Sequence, residues 1–449
     1  MFLAVRLFFR DRRVVTATIA LLVATVSATT FVVLHFTTAA PPRAGTLPTA
    51  SAVPTPNGAP ADTHQRIIDI LTQMHDKAFN PTASPPKNSA GVQGGLYVNW
   101  SATWDGNPST AADNTNFTSN GRTDVELGVQ PRHDEFTDLI YLRDLLGYRA
   151  AYPSDHRFDP DIARMEPIVR SDFAHYTYYK CFLYGELEDM ARFEPDGGWG
   201  AMADAYVRAV YAHYFTGDLG TVVAGADGTY RVDFAAECAV AFIQSGNRLH
   251  DTGMVSAGDA IVQHLLNNAI DPTTHLLPLQ LQAAAGSRDT LVQQQVKMGE
   301  EAQSLDALLT LYQLTGNAAL LTNVQGAVTW LFSGPLHDTQ DGGFYFAVDT
   351  NGSSLDSRFK ESRQAWVLTL LQHLDTLEPG KWSAQSAEIL DVVRQKLWGA
   401  VSDGYVYRVT PAYQVYQSKA GLGRTIVTEN WVTTEAMDIA CQALEGPAG

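Results

Sequence analysis

The 449-residue chain has no surplus of positive charge: 31 Lys and Arg stand against 48 Asp and Glu, a balance of −17. Residues 1–61 hold five arginines and one aspartate, so residues 62–449 carry 26 basic and 47 acidic residues, a balance of −21. That excludes a basic footprint for nucleic acid. Cysteine is scarce as well. Cys181, Cys238 and Cys441 are an odd number without C-x-x-C spacing; this argues against a disulfide framework or a zinc site and predicts three small buried hydrophobes. A Gly-rich phosphate loop, H-E-x-x-H, G-x-S-x-G and a G-x-G-x-x-G after a strand are all missing. The commonest nucleotide, zinc-protease and α/β-hydrolase readings go with them. No loop has EF-hand spacing, and neither an Asp-Asp pair nor a D-x-D-D motif occurs. No cofactor and no metal site are expected, with calcium held by carboxylates the open alternative.

What is present begins at the N-terminus. Arg6, Arg10, Arg12 and Arg13 precede Val14–Phe36, a 23-residue run free of Asp, Glu, Lys and Arg. It is long enough to span a bilayer, and the positive residues ahead of it place the remainder outside the cytoplasm. The expected order is a basic tail over 1–13, a transmembrane signal anchor over 14–36 and a linker over 37–61. The alternative is a cleaved signal peptide, with small residues at Val26-Ser27-Ala28 or over Thr37–Ala40. The linker is rich in Pro, Ala and Thr, a stiff stalk. The body, 62–449, would then be held at a cell membrane, or secreted if the leader is cut.

From residue 62 onward, apolar spacing of the i, i+3, i+4, i+7 kind marks about twelve helices. They cover 62–78, 132–148, 159–171, 173–192, 198–216, 232–248, 254–270, 297–315, 317–333, 360–375, 383–398 and 428–444. Phe234–Phe242, Ser304–Leu314 and Gln364–Leu374 are apolar or small almost all round, which predicts burial on most faces. Ser256–Leu266 and Ser383–Leu397 carry a single apolar stripe. Alternation of inner and outer helices predicts an all-α (α/α)6 toroid, with 62–78 closing the ring against 428–444. Outer-to-inner connections are the long ones: 79–131, 217–231, 271–296, 334–359 and 399–427. All would lie on the rim where inner helices begin, and loops on a rigid scaffold collect binding residues. Within one of them, Asp341–Arg363 reads as a β-hairpin turning at Asn351-Gly352 and ending at an inner-helix start.

Those helix starts carry charges that a buried helix would otherwise avoid: Asp134 and Glu135 after His133, Asp233 and Glu237, Glu300 and Glu301, Glu361 with Arg363, and Glu429 and Glu435 around Trp431. Acids are common in any first helical turn, where they face the positive end of the dipole. Five clusters converging on one rim suggest more, because facing carboxylates split their pKa values as acid/base chemistry requires. The catalytic candidates are Asp134, Glu135, Glu300, Glu301, Glu361 and Glu429. Trp100, Trp104, Tyr345, Arg363 and Trp431 are the candidate substrate contacts. Aromatic rings beside carboxylates suit sugars, so an oligosaccharide or polysaccharide is the expected partner.

Asp341-Gly342-Gly343-Phe344-Tyr345-Phe346, with Asp349, Gly352, Lys360, Gln364 and Ala365 after it, resembles a hairpin-and-inner-helix unit of the six-hairpin glycosidase-like and N-acylglucosamine 2-epimerase-like proteins. Leu311–Asn317 is similar to the turn that ends an inner helix there. The resemblance spans roughly 297–376 and implies the toroid and carbohydrate chemistry. Family-76-type mannanases carry an adjacent Asp-Asp pair, whereas this chain offers Asp134-Glu135 and Glu300-Glu301. The epimerases use histidines, and only His133 and His175 lie near inner-helix starts. Carboxylates outnumber histidines on the rim, so the expectation is a glycoside hydrolase acting on extracellular or cell-wall glycans. A sugar 2-epimerase and a tethered glycan-binding protein are the alternatives.

Overall fold

The computed structural model describes residues 61–80, 94–102, 118–119, 122–123, 135–175, 181–214, 228–284, 288–293, 295–401, 404–420, 425–429 and 431–446. Val14–Phe36 and the Pro-rich linker lie outside them. Among the described residues, no helix is long and apolar enough to cross a membrane.

Twelve α-helices form the described body: α1 Ala61–Gln73, α2 Glu135–Ala151, α3 Asp159–His175, α4 Phe182–Phe193, α5 Trp199–Tyr214, α6 Val232–Leu249, α7 Thr252–His264, α8 Met298–Thr315, α9 Ala318–Ser333, α10 Ala365–Leu377, α11 Ser383–Asp391 and α12 Thr434–Glu445. The even-numbered helices pack in a closed ring, α2 on α4, α6, α8, α10, α12 and back on α2. Each odd-numbered helix backs its neighbour from outside, and α1 packs on α12, as the periodicity predicts. The boundaries expected at 171–173 move: α3 runs through Pro167 to His175, and α4 starts only at Phe182.

Side-chain size explains which helices are inner. Helix α6 buries Ala235, Ala236, Ala239 and Ala241 together with Phe242 and Ile243, so it tolerates neighbours on nearly every side. Helix α9 buries only Leu320, Val324, Ala327, Val328 and Leu331, a single stripe. Asp251 and Asn317 cap the outer helices α7 and α9 by accepting backbone N–H bonds from Gly253 and Met254, and from Ala319.

Every described strand lies in an outer-to-inner connection. Strand pairs stitch successive connections around one rim: Thr229–Arg231 with Gln280–Gln282, Gln295–Lys297 with Ala347–Asp349, Lys360–Glu361 with Arg408–Val409, and Trp431–Thr433 with Asn99–Ser101. The expected hairpin is there. Ala347–Asp349 pairs with Leu355–Asp356, and Gly352 closes the turn at φ 76° with its N–H donated to the Asp349 carbonyl.

The cysteine expectation needs correction. Cys181 and Cys238 form a disulfide across the α4–α6 seam, with Cα atoms 4.9 Å apart, while Cys441 is free and buried. The sequence spacing gave no sign of it, because the toroid brings together two helix positions 57 residues apart.

Candidate active site

The ring places the starts of α6, α8, α10 and α12 side by side, and their charges meet. Arg363, in the 3-10 turn Ser362–Gln364 that leads into α10, donates to Glu300 at 3.1 Å and to both Glu435 oxygens at 2.8 and 2.9 Å. Arg231 donates to Asp233 at 3.0 Å and stands 3.9 Å from Glu300. Gly299 makes the approach possible: a Cβ there would meet the Arg363 Cβ at 2.6 Å. Glu300 is only 5% exposed, and its Oε2 has no hydrogen-bond partner. A small void of about 10 Å³ beside it, room for about one water, is lined by Asp233, Lys297, Glu300, Glu301 and Ser304.

Glu361 occupies a different environment. It lies in the strand pair with Arg408, buried against Tyr407. Burial pushes its carboxyl up to about 7, against the opposing pull of Arg363 and with a further push from Glu300. Burial also drives Glu301 well up, opposed by the backbone N–H of Leu277, which it accepts at 3.1 and 3.2 Å. Glu301 is thereby tied to the loop that precedes α8 and points away from the arginines.

The wall above these acids is aromatic. Phe346 stacks on Phe359 at 4.5 Å between ring centroids, and Tyr416 lies 5.1 Å from Phe359. Lys297 stands over Phe346, and Arg363 over Tyr407. Tyr345 faces the other way, beside Lys360 and Asp338. Trp100 and Trp431 are 1% and 2% exposed and pack inside the paired strands that join α12 to the 94–101 segment. Asp134 and Trp104 lie outside the described residues. Glu135 opens α2 and Glu429 ends a strand, but neither side chain is among the described parts. The structure thus brings together Glu300, Glu361 and Arg363 from the sequence candidates.

Glu186 and Asp438, together with Asp144, are residues that sequence reasoning missed. Glu186 and Asp438 lie about one turn into α4 and α12, and Asp144 about two and a half turns into α2. Glu237 is placed likewise in α6; it accepts from the Gln303 amide, and burial followed by Asp233 pushes its carboxyl well up. Burial raises Asp438 to about 7 against Arg143, and burial and then Asp438 hold Asp144 well up. For Glu186 and Asp438 a signal was available, acids at i, i+3 in otherwise buried helices (Glu186/Asp189 and Glu435/Asp438); Asp144 has no acid at i, i+3 or i, i+4.

No protein-family model and no curated protein sequence matches the chain. Solved structures do. An α-1,6-mannanase of glycoside hydrolase family 76 from a Salegentibacter species, an inactive variant holding α-1,6-mannotetrose, is 13% identical over 86% of this chain and 100% of its own, with a TM-score of 0.53. A family-76 mannosidase from Bacteroides thetaiotaomicron is 9% identical over 86% and 98%, with a TM-score of 0.56. The unsaturated glucuronyl hydrolase of a Bacillus species is 13% identical over 85% and 94%, with a TM-score of 0.54. With its closed ring of six inner helices and strand-stitched rim, the chain has an (α/α)6 toroid fold like that of these structures.

Proposed function

We propose that the protein is a glycoside hydrolase whose cleft is the rim around Glu300, Glu361 and Arg363. The observation that carries this reading is the unequal setting of two neighbouring carboxyls. Glu361, buried and raised to about 7, is suited to hold a proton at neutral pH and deliver it to a glycosidic oxygen. Glu300, ion-paired with Arg363 and with one oxygen unengaged, is suited to accept a proton from water or to attack the anomeric carbon. Phe346, Tyr407 and Tyr416, each half-buried, offer ring faces for sugar C–H surfaces. The glycans named with the Salegentibacter neighbour support a sugar ligand. The buried disulfide supports an oxidising compartment. It agrees with a membrane-anchored or secreted protein whose 62–449 body is extracytoplasmic.

The test is incubation of the full chain with α- and β-linked oligosaccharides and cell-wall glycans, beside Glu300→Gln and Glu361→Gln variants. Cleavage lost in both folded variants is the expected result. Binding without cleavage would favour a tethered glycan-binding protein, and a changed sugar with every bond intact would favour an epimerase.

A further inference from the structure

Of the twelve described α-helices, α9 alone carries no Asp, Glu, Lys or Arg. It is an outer helix, and its solvent face is polar without charge: Thr322 and Thr329 are exposed, Gln325 and Trp330 half-buried. In a body with a balance of −21, an uncharged outer face is an exception. The face is not flat. With His275 and Lys381 from neighbouring connections, these residues line an open groove of about 560 Å³.

The groove is held by unusual backbone. His275 adopts φ 61°, a left-handed conformation uncommon for any residue but glycine. Its imidazole lies on α9 at Gly326, where a Cβ would collide with the ring, and glycine is otherwise unfavourable inside a helix. Strain of this kind collects at ligand sites. Asn323 fixes the ring. Its amide N–H donates to the Ala319 carbonyl at 2.8 Å, so its Oδ1 accepts from His275 Nδ1 at 3.0 Å. The neutral imidazole then carries its acceptor lone pair at Nε2. Neither that nitrogen nor the Trp330 indole N–H has a hydrogen-bond partner among the described residues. Thr322 and Thr329 donate to the Ala318 and Gln325 carbonyls, which leaves their oxygens as acceptors. The Lys381 ammonium is matched by Glu378 at 2.9 Å. An aromatic ring beside open donors and acceptors, without net charge, fits a ligand that has many hydroxyls and apolar C–H faces. Thr322 to Ser333 covers roughly 16 Å of helix, room for a chain of several sugar rings.

We propose that this groove on α9 is a second glycan-binding site, outside the rim cleft, that takes a neutral polysaccharide chain. Trp330 stacks on a sugar face and its indole N–H donates to a sugar oxygen, while His275 Nε2 and the threonine oxygens accept from hydroxyls. The proposal rests on the reading of the rim as a sugar cleft, whose polymeric substrate the groove holds on the flank of the ring.

Native electrophoresis of the full chain through gels containing α-mannan, dextran, mixed-linkage β-glucan or polygalacturonate tests it, in a Glu361→Gln background so that no polymer is cut. Retardation by at least one neutral polymer is expected, and none by polygalacturonate. Trp330→Ala, and Thr329→Glu, which sets a charge on the exposed face without touching the core, should each raise the dissociation constant read from the retardation about tenfold. With Glu361 in place, Thr329→Glu should leave cleavage of short oligosaccharides unchanged. Unchanged retardation in both variants, retardation by no neutral polymer, or equal retardation by polygalacturonate would overturn the site. A dimer in gel filtration that Thr329→Glu disperses would overturn it too, and make the face a contact between copies. Cleavage of short oligosaccharides without retardation would remove the groove and leave the hydrolase. Retardation with no cleavage of any sugar would do the reverse.

Discussion

Glu361 and Glu300 carry the same functional group and differ in what surrounds it. Glu361 must hold its proton to act as an acid, and burial keeps it there up to about pH 7. Cleavage by the wild type should therefore decline as pH rises through about 7 in kcat/KM, while Glu361→Gln loses about two to four orders of magnitude in kcat and no longer shows that limb. A variant with near-wild-type cleavage would remove Glu361 from the mechanism. Sequence alone reached Glu361 and Arg363 because a charged cluster at the start of a buried helix needs a partner. It named Tyr345 rather than Phe346; neighbouring residues of an extended segment face opposite ways, and the register of the hairpin on Gln295–Lys297 sets Phe346, not Tyr345, against Phe359. Glu301 illustrates the same limit on a helix: one residue beyond Glu300, it turns to the Leu277 backbone.

The element that orients Glu361 is the loop-and-hairpin over 338–361. Lys360 is fully buried and paired with Asp338 at 2.8 Å, and it donates to the Gly342 carbonyl at 2.7 Å. Gly343, at φ 71°, leaves no room for a side chain: a Cβ would lie 2.4 Å from both the Gln364 amide oxygen and the Tyr413 hydroxyl. Gly343→Ala should cost roughly 1–3 kcal/mol in urea unfolding, and Lys360→Met, which strands Asp338, about 3–5 kcal/mol. A neutral outcome for both would mean that the loop does not brace the strand. The hairpin was legible because its turn residues and alternating aromatics are local. The disulfide was not, because its partners become neighbours only when α4 and α6 pack. Denatured, unreduced protein should expose one alkylatable thiol, that of Cys441. Paired Cys181→Ser and Cys238→Ser changes should cost about 2–4 kcal/mol. Three alkylated thiols would show the bridge to be absent.

On the scale of the whole molecule, the toroid brings together acids that the separate inner-helix patterns scatter along the sequence. Ring closure was readable from periodicity, since buried and striped helices alternate. The depth of the acids was not, because a helix start and the next turn inward look alike in a linear pattern. That depth has a consequence for stability. Glu361 and Asp438 hold their protons up to about 7 in the folded state, through burial that Arg363 and Arg143 only partly offset. In the unfolded chain the same carboxyls release them near 4. Between roughly pH 4 and 7 the folded state therefore binds more protons, and stability must fall as pH rises, by on the order of 3 kcal/mol for each such group. Asp338 works in the opposite sense. Burial would raise it, but Lys360 and two backbone N–H donors hold it low, so its contribution is present above about 4 and lost on further acidification. Together these predict a melting temperature highest in mildly acidic buffer and declining toward pH 8. Glu361→Gln and Asp438→Asn, which carry no titrating proton, should each flatten the decline. A melting temperature that instead rises from pH 5 to 8 would mean that Glu361 and Asp438 are ionised in the folded state.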